Sequence, residues 1–274
     1  MISDLKIIPF GEYKPKSNTL FLRLLTKLGL SRGKIANWNR QLWKAKGYVI
    51  VDYEIRGIKY RLNILRNTYD GKLLTSSKYI NKKELFSLIP RNKESTFIDI
   101  GANIGYFSLC LAKMGYENVF AIEPNPATLE LLRTNVAINN LSNKIKIVPY
   151  CVGNDEILTM YSRADLGSSS VLKDNGDISS EAIQVESKKL ERIINEYNIK
   201  KIDGMKVDIE GYEDRALLPF FEEVDEKLWP KIIVIEYTCR SQWKKDILSV
   251  LYKKGYTKCY KTRGNLILRY EKYN

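Results

Sequence analysis

Thr96-Phe97-Ile98-Asp99-Ile100-Gly101-Ala102-Asn103-Ile104-Gly105 is a short apolar run that breaks into a glycine turn. Thr96 to Ile100 reads as a buried strand, and Asn103 to Met114, closed by Gly115, reads as a helix. Strand, glycine turn and helix in this order open an α/β sheet whose ligand crevice lies at the carboxyl end of the strand. The glycines let a ligand approach the backbone, and the first N–H groups of a helix lack intrahelical partners. The spacing is G-x-x-x-G, with an acid two residues before the first glycine, and not the G-x-G-x-x-G of a dinucleotide fold. A carboxylate this close disfavours pyrophosphate and favours a ligand with a positive amino group. No Lys-Ser/Thr follows, so the turn is not a P-loop.

Working outward, Val119 to Ile122 is a second strand. Asn125 is a good N-cap with Pro126 at the first helical position, and Leu129, Leu132, Val136 and Ile138 make an apolar face. Ile145 to Val148, Gly204 to Val207 and Ile232 to Ile235 are further strands, the second of them after a long polar excursion. Ser241 to Lys254 reads as a helix stopped by Gly255, followed by strands near Tyr256–Tyr260 and Leu266–Tyr270. This alternation predicts an α/β fold with a mostly parallel, doubly wound sheet. Upstream, Leu20 to Leu30 reads as an amphipathic helix that lies either on its own domain or on a membrane surface. Tyr48 to Glu54 and Ile58 to Ile64, broken near Gly57, predict a β-hairpin. Asn67 to Gly71 reads as a turn, and Lys82 to Leu88 as a short helix stopped by Pro90.

The chain has 274 residues, 44% hydrophobic and 28% charged, which excludes disordered and fibrous classes. No run reaches the roughly 18 apolar residues of a membrane span, and no signal peptide is read at the N-terminus. There is no histidine, so triads and bases built on it are excluded. The cysteines Cys110, Cys151, Cys239 and Cys259 form no CxxC pair, which fits a reducing compartment and a cytoplasmic protein, with peripheral membrane contact as an added expectation. The net charge is +13, distributed as +8 over residues 1–46, −2 over 47–240 and +7 over 241–274. Basic ends read either as a surface for an anionic partner (a lipid surface, a phosphorylated glycan or, less favoured, nucleic acid) or as plain solubility.

Glu123 ends the second strand, 24 residues after Asp99, where an acid accepts hydrogen bonds from ribose hydroxyls. The plainer alternative is that it serves the positive end of the helix beginning at Asn125. The fourth strand runs into Lys206-Val207-Asp208-Ile209-Glu210-Gly211-Tyr212-Glu213. With no histidine, Asp208 or Glu210 is the candidate catalytic base for an acceptor hydroxyl. Alternatively, the three acids Asp208, Glu210 and Glu213 are an oxygen set for a divalent cation, Mg²⁺ being the candidate, or simply a solvated turn and a helix start that favours acids.

The glycine turn, Glu123-Pro124 and the segment Val207 to Glu213 together resemble the FkbM-type methyltransferases, over roughly residues 95–220. Asn103 stands where many class I enzymes have a third glycine, a departure that the FkbM type shares. The resemblance implies a Rossmann-like, seven-stranded class I fold over residues 91–274, with residues 1–90 as a helical and hairpin extension open to an acceptor or partner. It implies S-adenosylmethionine as cofactor and O-methylation of a hydroxyl on a sugar, glycan, glycolipid or related small molecule. By it, Asp99, Gly101, Ala102, Asn103, Gly105 and Tyr106 contact the cofactor, with Asp99, Gly101 and Gly105 bracketing its methionine part. Glu123, with Pro124 and Asn125, holds the ribose; Cys151 and Val152 flank the adenine; Asp208 lies beside the reactive methyl. The loop Gly167-Ser168-Ser169-Ser170 reads as a lid. The rival readings are an RNA or other nucleic-acid methyltransferase and a catalytically inactive binding module of the same fold. The sequence sets no oligomeric state.

Overall fold

The computed structural model describes residues 8–64, 68–76, 94–162, 169–172 and 181–273. The Lys82–Leu88 helix and the boundary near residue 90 lie outside them. Seven strands form one sheet: β3 (Thr96–Ile100), β4 (Asn118–Ile122), β5 (Ile145–Val148), β10 (Gly204–Val207), β11 (Ile232–Glu236), β12 (Tyr256–Lys261) and β13 (Asn265–Tyr270), in the order β12-β13-β11-β10-β3-β4-β5. All neighbours are parallel except β13, which is antiparallel to β11 and β12. The chain winds outward from β3 to β5 and returns to β10 on the other flank of β3. The carboxyl ends of β3 and β10 are therefore the topological switch point, where an open α/β sheet binds its ligand.

Strand alternation splits the core between the two faces. Phe97, Val119, Val234 and Ile267 point to one side; Ile98, Ile100, Met205, Val207 and Ile233 point to the other. The first side is covered by α4 (Tyr106–Lys113) and α5 (Pro126–Ile138). The second is covered by α6 (Leu190–Glu196), α7 (Glu213–Glu223) and α8 (Ile247–Lys253). Helix α8 is shorter than the sequence pattern predicts, because a 3-10 turn at Arg240–Gln242 precedes it.

The extension continues the first core rather than forming its own. Helices α1 (Leu20–Lys27), α2 (Gly33–Ala45) and α3 (Thr68–Thr75), with the hairpin β1 (Ile50–Ile55) and β2 (Ile58–Asn63), share one apolar cluster with α4 and α5. The hairpin is tied to α5 by Asn139, whose Oδ1 accepts the Lys59 N–H at 2.9 Å. A buried ion pair, Arg61 with Asp52 at 2.8 Å, fixes its own two strands. Helix α3 replaces the turn expected at Asn67–Gly71. Leu73 and Leu74 are fully buried there, and a Cβ on Gly71 would meet Arg40 at 2.8 Å, so that glycine serves packing. The polar excursion after β5 is a small mixed sheet, ordered β6-β9-β7-β8, made of β6 (Cys151–Val152), β7 (Glu156–Ser162), β8 (Ser169–Ser170) and β9 (Glu181–Lys188).

Candidate active site

The turn from Gly101 to Gly105 is held by positive φ at Gly101, Asn103 and Gly105, so the helix begins at Tyr106 and not at Asn103. Its amides are already committed. Gly101 and Ala102 N–H both donate to Ile122 O, Asn103 N–H to Glu123 Oε2 at 2.9 Å, Ile104 N–H to Asn103 Oδ1, and Gly105 N–H to Ala102 O. An anion therefore finds none of these five donors unused. The glycines also answer to the protein itself: a Cβ on Gly101 would lie 2.0 Å from Asp208 O, and one on Gly105 would lie 2.6 Å from Leu132. Asn135 of α5 steadies the turn from behind, donating to Ile104 O at 3.0 Å while accepting the Arg61 N–H at 2.7 Å. The hairpin and the turn thus share one brace.

Acids define the rim. Glu123 stands at the start of α5, as the plainer reading has it: its second oxygen accepts the Asn125 N–H at 2.9 Å, and Asn125 in turn caps α5 through Ala127 and Thr128 N–H. Burial lifts its carboxyl to about 7 despite those backbone donors. A ligand offering hydroxyl or ammonium hydrogens suits such a group. Asp99 is fully buried and accepts the Ser108 hydroxyl at 2.6 Å. Its neighbour across the sheet is Lys206, which pairs with it in strand register. Lys206 Nζ lies 3.7 Å from Asp99 Oδ1 and 3.0 Å from Asp208 Oδ2. Lys206 has no place among the candidate residues read from sequence.

A family model for the FkbM methyltransferase domain matches residues 99–257. The chain belongs to the FkbM methyltransferase family. Its turn, Glu123 and the segment after β10 all fall inside that span. Among curated relatives, methyltransferase sdnD of Sordaria araneosa is 27% identical over 191 residues, 58% of this chain and 72% of that protein. A tRNA(Phe) (4-demethylwyosine(37)-C(7)) aminocarboxypropyltransferase of Pyrococcus horikoshii is 23% identical over 239 residues, 84% of this chain and 73% of that one. The solved methyltransferase FkbM of Methylobacillus flagellatus aligns with a TM-score of 0.48 at 20% identity, over 70% of this chain and 48% of that one. The chain thus spans about half of the solved protein.

In this FkbM methyltransferase the remaining candidates separate by burial. Cys151 and Val152 are buried at the start of the small sheet, and burial pushes the Cys151 thiol up to about 12, so it is a neutral wall. Tyr106 turns away from the crevice, its ring 6.2 Å from that of Tyr60 in the hairpin core. Pro124 is half-buried beside Glu123. Ser170, from the stretch expected to be a lid, lies in β8, and its hydroxyl donates to Glu210 O at 3.1 Å. Gly167 and Ser168 lie outside the described residues.

Beyond β10 the loop 208–212 is built around Glu213. That buried carboxylate accepts Ile209 N–H at 3.0 Å, Gly211 N–H at 3.2 Å and the Trp243 indole N–H at 2.6 Å. Glu213 is thereby a scaffold and not a free ligand. Asp208 and Glu210 face Glu236 at the end of β11. Burial, then Asp208, then Glu210 raise the Glu236 carboxyl to about 8. Glu210, Glu236 and Cys239 bring potential ligand atoms within 4.8 Å of one another. A thiol in that set does not suit Mg²⁺, which takes oxygen ligands in octahedral geometry. The Lys206 ammonium, 3.0 Å from Asp208 Oδ2, already offsets charge that a cation would neutralise.

Proposed function

We propose that this chain is an S-adenosylmethionine-dependent O-methyltransferase acting on a hydroxyl of a sugar, in a glycan, glycolipid or related small molecule. One observation carries the reading. Asp208 is locked against the glycine turn, its carbonyl in the space of a Gly101 side chain and its carboxylate on Lys206. A turn whose amides are spent, beside buried Glu123, suits a cofactor rich in donors and positive charge and poor in phosphate. When bound, S-adenosylmethionine supplies an electrophilic methyl group on a sulfonium. Glu123 accepts the ribose hydroxyls, and Cys151 with Val152 forms an apolar wall for the adenine.

The chain's main task is to hold the acceptor oxygen in line and exclude water, worth about 7–11 kcal/mol in favourable cases. Asp208 would take the acceptor's proton as the methyl C–S bond gives way to the new C–O bond and the sulfonium leaves as a neutral thioether, a smaller contribution of about 10²–10⁴-fold. Lys206 orients that carboxylate, and Glu210 stands at the outer rim. Mg²⁺ has no part in this scheme.

The test is incubation with methyl-labelled cofactor and a panel of nucleotide sugars, cell-surface glycans and RNA, read by mass spectrometry. Labelled hydroxyl product is expected. Full turnover by both Asp208→Asn and Glu210→Gln, with cofactor bound, would place the base elsewhere. Calorimetry without heat on adding cofactor would leave a binding module. The tRNA-directed relative and the basic chain ends favour RNA as the second acceptor. Methylated RNA bound with steep salt dependence would give that reading precedence.

A further inference from the structure

The two helices α1 and α2 present an inverted distribution of side chains. Their inner side carries polar groups in hydrogen bonds. Asn39 donates to Leu22 O at 3.1 Å, Ser31 Oγ at 3.1 Å and Thr26 Oγ1 at 3.3 Å, and the Thr26 and Ser31 hydroxyls both reach Thr75 O of α3. Leu22, Ala36 and Trp43 are buried beside them. The helices are thus latched to each other and to the domain. Their exposed side carries further apolar groups among its polar ones. Of ten large apolar side chains exposed among the described residues, seven lie between residues 20 and 38. On α1, Leu20, Leu24 and Leu28 recur at intervals of four beside Phe21, so they share one face; Phe21 is 62% and Leu28 68% exposed. On α2, Ile35 and Trp38 are exposed one turn apart. Because the inner side is already satisfied, this face is not one that the domain's own core covers. Of the two placements read for the Leu20–Leu30 segment, packing on its own domain is the one that the inner side makes.

We propose that this face docks on an anionic lipid surface. The same stretch of chain exposes Lys14, Lys16, Lys27, Arg32 and Lys34, while Glu12 is the sole acid among described residues 8–46. An interfacial helix seats apolar side chains at the acyl boundary while cations meet lipid phosphate. A second copy would bring two strongly basic faces together. RNA would match the charge and leave the leucines and Phe21 without a partner. No helix among the described residues is long and apolar enough to cross a membrane, so the seat is peripheral.

Flotation of the full chain with phosphatidylcholine vesicles, with and without phosphatidylglycerol, tests this without any acceptor or cofactor. The result is therefore separate from the fate of the methyl-transfer reading. Binding at least ~10-fold tighter to the anionic vesicles is expected, weakening with salt. The triple variant Phe21→Ser, Leu24→Ser, Leu28→Ser should lose at least ~10-fold of that binding while keeping its unfolding temperature and its affinity for cofactor. Independently, Trp38 emission should shift to the blue on anionic vesicles, and Trp38→Phe should abolish the shift while the protein still floats. Equal binding to neutral and anionic vesicles, or a triple variant that floats like the wild type, overturns the proposal. So does a triple variant that instead dissolves a dimer, or RNA binding that the triple variant retains while vesicles bind neither protein.

Discussion

Lys206 Nζ stands 3.0 Å from Asp208 Oδ2, two residues on and just past the end of β10, and reaches back to fully buried Asp99 at 3.7 Å. One ammonium thus serves a carboxylate in the crevice and another behind it. Burial opposes the lysine's charge, but Asp208 and Asp99 outweigh it and its net shift is upward. Lys206→Met leaves Asp99 without a countercharge, at an expected cost of about 3 kcal/mol, read in urea unfolding. Methyl transfer should fall about 10²-fold as Asp208 loses its anchor, with Lys206→Arg recovering part of both. A Met variant of wild-type stability would show that the pair contributes nothing to the fold.

Gly101 and Gly115 both have positive φ, yet only Gly101 is crowded. A Cβ at Gly115 meets nothing within 4 Å, whereas at Gly101 it lies 2.0 Å from Asp208 O. Gly115→Ala should therefore cost only backbone strain, about 1–2 kcal/mol. Gly101→Ala adds overpacking of about 1–3 kcal/mol and pushes Asp208 out of place. Calorimetry should find cofactor binding intact in the first variant and lost in the second. Equal losses in both would remove the close approach from the explanation.

What sequence could reveal depended on how local each cause was. The strands at Thr96–Ile100, Ile145–Val148 and Gly204–Val207 have the expected bounds, because each is a short apolar run between turn residues. Asn125 caps α5 as read, since a cap acts within its own first turn. Lys206 went unread because Asp99, its register partner, is distant in sequence and adjacent only in the sheet. Helix α3 was hidden for a related reason. Asn67, Asp70 and Gly71 are turn formers locally, but Asp70 accepts the Asn63 N–H at 2.7 Å and Gly71 makes room for Arg40. Tertiary contacts there outweigh local propensity. The small sheet from β6 to β9 escaped notice because its exposed strands carry charged residues and a bare Ile157 in place of a clean apolar alternation.

Glu123 should make cofactor affinity depend on pH. Its carboxyl is lifted from 4.5 to about 7, chiefly by burial. The folded state thus favours the protonated form: this stabilisation is complete below about 4.5 and is lost as pH rises through about 7, a swing of about 3 kcal/mol. Ribose hydroxyls favour the anion, so affinity should rise with pH and level off above about 7. Glu123→Gln should bind cofactor about 10²-fold more weakly, for two lost charge-assisted hydrogen bonds, with a flat pH profile. A wild-type profile as flat as that of Gln would remove Glu123 from the ribose.

Glu236 supplies the second titration. Burial first, then the charges of Asp208 and Glu210, raise its carboxyl to about 8. Near neutrality the Asp208–Glu236 pair therefore retains a proton that belongs to both groups. For Glu236 the folded value exceeds the unfolded one, so its contribution to stability is full below the unfolded value and disappears as pH rises through about 8. Glu236→Gln resembles the protonated side chain, and its unfolding temperature relative to wild type should climb between about pH 4.5 and about pH 8. Over the same interval wild-type turnover should rise, because loss of the shared proton leaves Asp208 a stronger acceptor for the hydroxyl proton. The Gln variant should lack that limb while retaining activity at lower pH. If its rate and stability profiles instead ran parallel to wild type, the titrating group beside Asp208 would have to be another, and Glu210→Gln would be the variant to distinguish it.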